Sequence, residues 1–222
     1  MKNRPGRAGL PVIAFLLLSG CSADSDYGAY WQLLREGFSQ SFSGGGINRE
    51  QAASIPYASL GYRLNGGQQM MLILATDAND EQLWTSSARI VFQTQDGRIK
   101  RTVGLSHNLG GLAPMRGPAL PAPASALTAP STNNLNADFP DIGVYSVPIA
   151  CRLTRKGQET ITILGQTMAS IRVDEDCQSS KPRWRFRNSY WLDPQSGFVW
   201  RSLQHIHPHG DTLEVEIFRP PG

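Results

Sequence analysis

Apolar and polar residues alternate with a period of two through most of the chain after residue 56, the spacing that places one face of a β-strand in a core. "YASLGYRL" (57–64), Asn65-Gly66-Gly67 and "QQMMLILAT" (68–76) read as a hairpin, because Asn-Gly accepts the positive φ that tight turns require. A second hairpin is predicted from "QLWTSSARIVFQTQ" (82–95), Asp96-Gly97 and "RIKRTVGL" (98–105). The third joins "VYSVPIACRLT" (144–154) to "QETITILGQTMASIRV" (158–173) through a turn at Lys156-Gly157, with Pro148 marking an edge or a bulge. The fourth pairs "RWRFRNSYWLD" (183–193) with "FVWRSLQHIHP" (198–208) around residues 194–197, and "DTLEVEIFRP" (211–220) adds a last strand. Hairpin after hairpin predicts a mainly β chain with antiparallel neighbours.

The helical period occurs only near the N-terminus. Tyr30, Leu33, Leu34 and Phe38 fall on one face of a helix over 27–42, with Asp26 as its N-cap and "SGGG" (43–46) as its end. A shorter helix is expected after Asn48, with Gln51 completing a capping box and Pro56 stopping it. Between the second and third hairpins, residues 113–141 are rich in proline and show no useful period. The stretch is too long for an ordinary connection, so it reads as an extended loop serving as spacer, lid, partner-binding segment or tolerated insertion.

The N-terminus carries a processing signal. Lys2, Arg4 and Arg7 precede the apolar run Leu10–Leu18, which is too short for a mature membrane span of about 20 residues. Leu18-Ser19-Gly20 then brings small residues up to Cys21, the pattern of a bacterial lipobox. Residues 1–20 are therefore expected to be cleaved and Cys21 to be lipidated, with 21–26 as a tether and 27–222 as a single mainly β domain. Several acyl chains on one cysteine anchor firmly where one alone holds marginally. Ser22, rather than an aspartate, after the cysteine points to the outer membrane, with the domain on its periplasmic face.

Cleavage changes the charge balance. The full chain has 21 basic and 18 acidic residues, and removing Lys2, Arg4 and Arg7 leaves 18 of each. A nucleic-acid partner, which needs a basic surface, is not expected. Of the three cysteines, Cys151 and Cys177 remain once Cys21 is assigned. In an oxidising compartment they are expected to pair, two free buried thiols being the alternative. A turn at Gly157 would set Cys151 opposite residues near 162, so the bridge would have to reach across a bend.

Two clusters could carry chemistry. "HIHPH" places His205 and His207 on one strand face with His209 beyond Pro208, a candidate metal site, though no first shell such as H-E-x-x-H is present. No metal and no cofactor are expected there. "PRWRFRNSYW" alternates Arg183, Arg185 and Arg187 with Trp184 and Phe186, and Trp200 and Arg201 lie on the partner strand. Exposed aromatic planes beside guanidinium groups suit a polysaccharide, with rings on sugar faces and arginines on acidic groups. The plainer reading is a charged surface over an aromatic core face. Paired carboxylates, a G-x-S-x-G elbow and a phosphate-binding glycine loop are all missing from the sequence, so no enzyme is expected.

Three stretches together, 49–75, 83–105 and 190–208, resemble the YjbF/GfcB family of bacterial lipoproteins. The most specific pieces are Pro56-Tyr57-Ala58-Ser59, Trp84-Thr85-Ser86, Gly97-Arg98 leading to Gly104-Leu105, and Gly197 to Gln204 with its "VWRSLQ". The resemblance implies an antiparallel β-barrel-like or two-sheet assembly built from hairpins, with a short N-terminal helical segment. It also implies a non-catalytic accessory role in exopolysaccharide or capsule production and export, beside the export machinery or the nascent polymer. Other expectations are a β shell carrying a lipid or other hydrophobic ligand, and a polysaccharide-modifying hydrolase. The family supplies no catalytic residues to carry over.

Overall fold

The computed structural model describes residues 46–115, 127–210 and 212–222. The signal, Cys21 with its tether, the helix expected over 27–42 and the centre of the proline-rich stretch lie outside the described residues. The first element among the described residues is α1 (Arg49–Ser54), capped reciprocally by Asn48 and Gln51 and closed by Ile55 before Pro56. Among the described residues twelve strands follow: β1 (Ser59–Leu64), β2 (Met70–Ala78), β3 (Glu81–Thr85), β4 (Val91–Gln95), β5 (Arg98–Val103), β6 (Gly111–Pro114), β7 (Ser131–Phe139), β8 (Val144–Ile163), β9 (Gln166–Ser180), β10 (Arg183–Leu192), β11 (Val199–His205) and β12 (Thr212–Arg219).

They form one antiparallel sheet in the order β5-β4-β3-β2-β1-β12-β11-β10-β9-β8-β7-β6. Each neighbour is also the next strand in sequence, except at β1–β12, where the two ends of the meander pair. The sheet curls until its edges meet. At that seam the Thr102 amide donates to Leu109 O at 2.9 Å, the Leu109 amide to Thr102 Oγ1 at 2.9 Å, and Arg101 Nε to Gly110 O at 2.8 Å. The result is a nearly closed barrel, which leaves little unpaired edge.

Alternation decides the inside. Leu60 and Tyr62, Leu135, Ala137 and Phe139, Ile149 and Cys151, and Leu213 and Val215 all enter one core. Phe92 is fully buried, with its ring edge-on to Tyr62 at 4.9 Å. A large side chain buried in this way stabilises by about 1.5–3 kcal/mol. A smaller cluster forms outside the barrel, where Ile47 and Ala52 of the α1 segment cover Met71, Leu164 and Phe218.

Tight turns follow local chemistry. Asn65 (φ 51°) and Gly66 (φ 69°) close β1–β2, and Asp96 (φ 50°) and Gly97 (φ 76°) close β4–β5. Gly97 has a second constraint, since a Cβ there would lie 2.4 Å from Val199. In the β10–β11 turn, Asp193 Oδ1 accepts from the Gln195 amide (3.0 Å), the Ser196 amide (2.8 Å) and Ser196 Oγ (2.9 Å). The Ser196 amide, against an opposing effect of burial, holds this carboxyl below the usual aspartate range. A depressed folded value means that the unfolded chain takes up the proton first as pH falls. The stabilisation is complete above about pH 4 and is lost as pH drops through the folded value. Asp193→Ala is expected to cost about 1 kcal/mol in urea melts at neutral pH and less in acid. Equal costs at both pH values would contradict the charged acceptor.

Three expectations are corrected. Residues 82–95 are two strands, β3 and β4, because the chain turns at Ser86, where the Arg89 amide donates to Ser86 O at 3.1 Å. Lys156-Gly157 is no turn: β8 runs on to Ile163 and reverses at Leu164 (φ 48°) and Gly165 (φ 76°). The extra residue between Arg155 and Gly157 is a bulge, which shifts the side-chain phase. Leu153 therefore faces the core, whereas Glu159 meets Arg172 on the outer face. The third correction falls in the proline-rich stretch. Residues 131–139 form β7, whose Leu135, Ala137 and Phe139 alternate into the core. Pro148 sits where β8 is paired with β7 alone, opposite Asn136 and beyond the last partner on β9.

Candidate functional site

The bulge places Cys151 directly opposite Cys177 on β9, with Cα atoms 4.1 Å apart and the sulfurs bonded. The two adjacent rows of this sheet carry an outer basic face. Arg152 of β8, Asp176 of β9 and Arg187 of β10 lie side by side in register, and so do Ala150, Gln178 and Arg185. Arg183 follows opposite Ser180. Two adjoining surface grooves of about 500 and 690 Å³ run over these rows and share Ala150, Gln178 and Arg185. Asn134 and Thr132 of β7 extend their polar walls. Arg187 Nε donates to Asp176 at 2.6 Å, and that contact raises the guanidinium pKa. Arg152, Arg183 and Arg185 are exposed and make no ion pair with the described residues.

The aromatic half of the predicted patch lies elsewhere. Trp184 is in the core, stacked on Phe186 at 3.9 Å and edge-on to Phe139 at 5.8 Å. Trp200 lies beside Phe198 in a cleft below α1, among Ala52, Leu164 and Phe218. Register also separates Arg187 from Arg201, because Trp191 is the residue opposite Arg201. Arg201 pairs with Glu214 and lies 3.6 Å from Glu216. The Trp191 ring is flanked by the Arg201 and Arg172 guanidiniums, 5.3 and 5.4 Å from its centroid. Burial is the main reason that the Glu216 carboxyl titrates above its usual range, with Arg201 opposing it.

The barrel interior holds a polar network that the sequence did not announce. Arg98 of β5 meets Glu175 of β9 in a bidentate pair, with Nη2–Oε1 at 2.6 Å and Nη1–Oε2 at 3.0 Å. Asn188 Nδ2 donates to Glu175 Oε2 at 3.0 Å, and the Tyr190 hydroxyl reaches the same oxygen at 3.4 Å. Gln204 accepts from the Ile99 amide at 3.0 Å and donates to Gly97 O at 2.9 Å, pairing backbone groups of the edge strand. Burial opposes the Arg98 charge, but Glu175 more than restores it and the pKa is raised. The Tyr190 hydroxyl is pushed up, chiefly by burial. Glu175 and Tyr190 are fully enclosed, so the hydrolase reading gains no accessible acid or base from them. One interior cavity, beside Arg98, Leu135 and Trp184, is about 20 Å³, room for about one water, and a separate pocket of about 340 Å³ opens among Trp84, Leu192, Phe198 and Val199. An acyl chain does not fit in the smaller of these two spaces.

The histidines regroup. β11 ends at His205, whose ring is 5.8 Å from Phe186 and whose pKa is lowered mainly by burial. His207 instead stacks on His107, remote in sequence, at 4.7 Å, and His209 stands edge-on to both. The grouping of His205 with His207 fails because the strand stops between them, and with it the alternation that would put both on one face.

Comparison with known proteins follows the same outline. Residues 43–218 match the profile of the family described as group 4 capsule polysaccharide lipoprotein gfcB, YjbF. The lipoprotein GfcB of Escherichia coli (strain K12) is 25% identical over 179 residues, which cover 77% of this chain and 80% of GfcB. The lipoprotein YjbF of the same strain is 26% identical over 200 residues, covering 88% of this chain and 89% of YjbF. The crystal structure of the hypothetical lipoprotein YmcC from Escherichia coli (K12) superposes with a TM-score of 0.67 at 20% identity, over 90% of this chain and 99% of YmcC. That likeness shows a shared fold. With the profile spanning most of the barrel, this chain belongs to the YjbF/GfcB family of group 4 capsule polysaccharide lipoproteins.

Proposed function

We propose that the chain is an outer-membrane-anchored periplasmic lipoprotein, held through Cys21, that serves capsule or exopolysaccharide export as a non-catalytic accessory factor. It meets an acidic polymer, beside the export machinery, through the outer face of β8–β10. The observation that carries this reading is the set of exposed guanidiniums at Arg152, Arg183 and Arg185, placed along two adjoining grooves and ion-paired to no carboxylate among the described residues, the neighbouring Asp176 being held by Arg187. Arginines left in water this way form forked hydrogen bonds to uronate or phosphate groups at little desolvation cost. Arg187 contributes less, because Asp176 already holds it. Trp184 supports the face from inside the barrel and does not touch the polymer.

The test is a gene deletion complemented by variants. Loss of the chain should reduce secreted acidic polymer while its precursors persist. The wild-type chain should restore output. Arg183→Glu with Arg185→Glu should not restore it at equal protein level, and should weaken retention of the purified protein on the polymer about tenfold or more. Normal output from the deletion strain would end the accessory role. Full rescue by the charge-reversed chain would move the contact to another face.

A further inference from the structure

Three of the four histidines in the chain converge at one end of the barrel from separate connections. His107 lies in the loop that joins edge strands β5 and β6. His207 and His209 lie between β11 and β12, and Asp141 lies in the 3-10 turn Pro140–Ile142 between β7 and β8. One nitrogen from each of the three rings lies within 4.8 Å of the others. Asp141 borders two of them, with Oδ2 3.0 Å from His107 Nδ1 and Oδ1 3.2 Å from His207 Nε2. His207 is fully buried, and no well-directed hydrogen bond reaches its Nε2 despite the nearness of Asp141. A buried ring nitrogen without a proper partner, aimed into a group of imidazoles and a carboxylate, is the arrangement a metal ion completes.

We propose that His107, His207, His209 and Asp141 bind one divalent transition-metal ion of the zinc class, which fastens the seam of the barrel. Three imidazoles and one carboxylate are the donor set of a tetrahedral zinc site, and calcium or magnesium would need oxygen ligands instead. Bonds of about 2.0–2.1 Å to each nitrogen require the rings to close by roughly 1 Å from their present spacing. The ligands sit on loops and turns, so this closure leaves the strand ladders intact. His207 Nδ1 now accepts a 3.2 Å contact from the His209 amide, which places the ring proton on Nε2. Ligation through Nε2 moves that proton to Nδ1, and the contact is given up as His209 swings inward. The ion would tie the β5–β6 loop to the β7–β8 and β11–β12 connections, at the junction where few hydrogen bonds close the sheet. This inference is independent of the polymer-binding reading.

The experiment is a zinc chloride titration of the purified full chain, produced without a histidine tag and followed by calorimetry and thermal melting. One equivalent should bind, and the melting temperature should rise by about 5 °C or more with zinc in large excess over its dissociation constant. Cobalt(II) should give the intense visible bands of a tetrahedral complex. His107→Ala and His209→Gln, both at solvent-reachable positions, should fold and lose about 100-fold in zinc affinity, whereas His205→Ala should bind as the parent does. Absence of saturable zinc binding would overturn the site. So would parental affinity in both His107→Ala and His209→Gln.

Discussion

Glu175→Ala is expected to lower the unfolding free energy by about 3–5 kcal/mol, measured by urea denaturation at neutral pH. The carboxylate is fully enclosed and is the counter-ion of Arg98, itself only 1% exposed. Removing it takes the facing carboxylate from a buried guanidinium, and Asn188 and Tyr190 lose their shared acceptor. The loss also loosens β5, because the Arg98–Glu175 pair ties that edge strand to β9 in the opposite wall. The double variant Arg98→Met with Glu175→Leu should be less damaged than Glu175→Ala, since no charge is then stranded. A cost below about 1 kcal/mol for Glu175→Ala would mean that water or another group compensates Arg98.

Cys151→Ala combined with Cys177→Ala should remove about 3 kcal/mol, seen as a fall of roughly 10 °C in the thermal midpoint. The two residues are 26 apart in sequence, so the bond withdraws a long loop from the unfolded ensemble. Its place in the sheet adds a second effect. The pair lies on the far side of the 155–157 bulge from the Leu164-Gly165 turn, so the turn alone does not hold the register there. Without the bond, the outer ends of β8 and β9 should show faster amide exchange than the segment next to the turn. An unchanged midpoint together with uniform exchange would show that barrel closure already fixes this register.

Features governed by neighbours within about four residues were legible. Asn48 and Gln51 announced the α1 cap, Asn65-Gly66 and Asp96-Gly97 announced their turns, and the alternation in 183–187 separated solvated arginines from core aromatics. The same local evidence misled at Gly157 and Gly165. Both follow a residue that can precede a turn, but Gly157 takes φ 140° inside a bulge while Leu164-Gly165 makes the two-residue reversal. Which glycine turns the chain depends on how far β9 can extend beside β8, and that is set by the whole sheet. Residues 131–139 are hard to read as a strand because Thr132, Asn134, Asn136 and Asp138 fill the solvent side of β7 and Asn133 takes a buried position, leaving only Leu135, Ala137 and Phe139 as signal. The candidate basic face is half legible: its arginines show in the alternation, but the places of Trp200 and Arg201 depend on the β10–β11 register, which no local pattern gives.

By itself the sequence determined an antiparallel β chain made of hairpins, the two cysteines free to pair, and three arginines on one strand face. These follow from side-chain period, turn chemistry and residue count, which act over short spans of chain. Tertiary structure alone decided that β1 pairs with β12, that the sheet curls until β5 meets β6, and that Arg98 finds Glu175 across the interior. It also decided that His107 stands beside His207 rather than His205 beside His207. The physical reason is closure: rolling up the sheet brings distant loops to one end of the barrel and buries charges that must find each other there. No local pattern records which distant residues will meet.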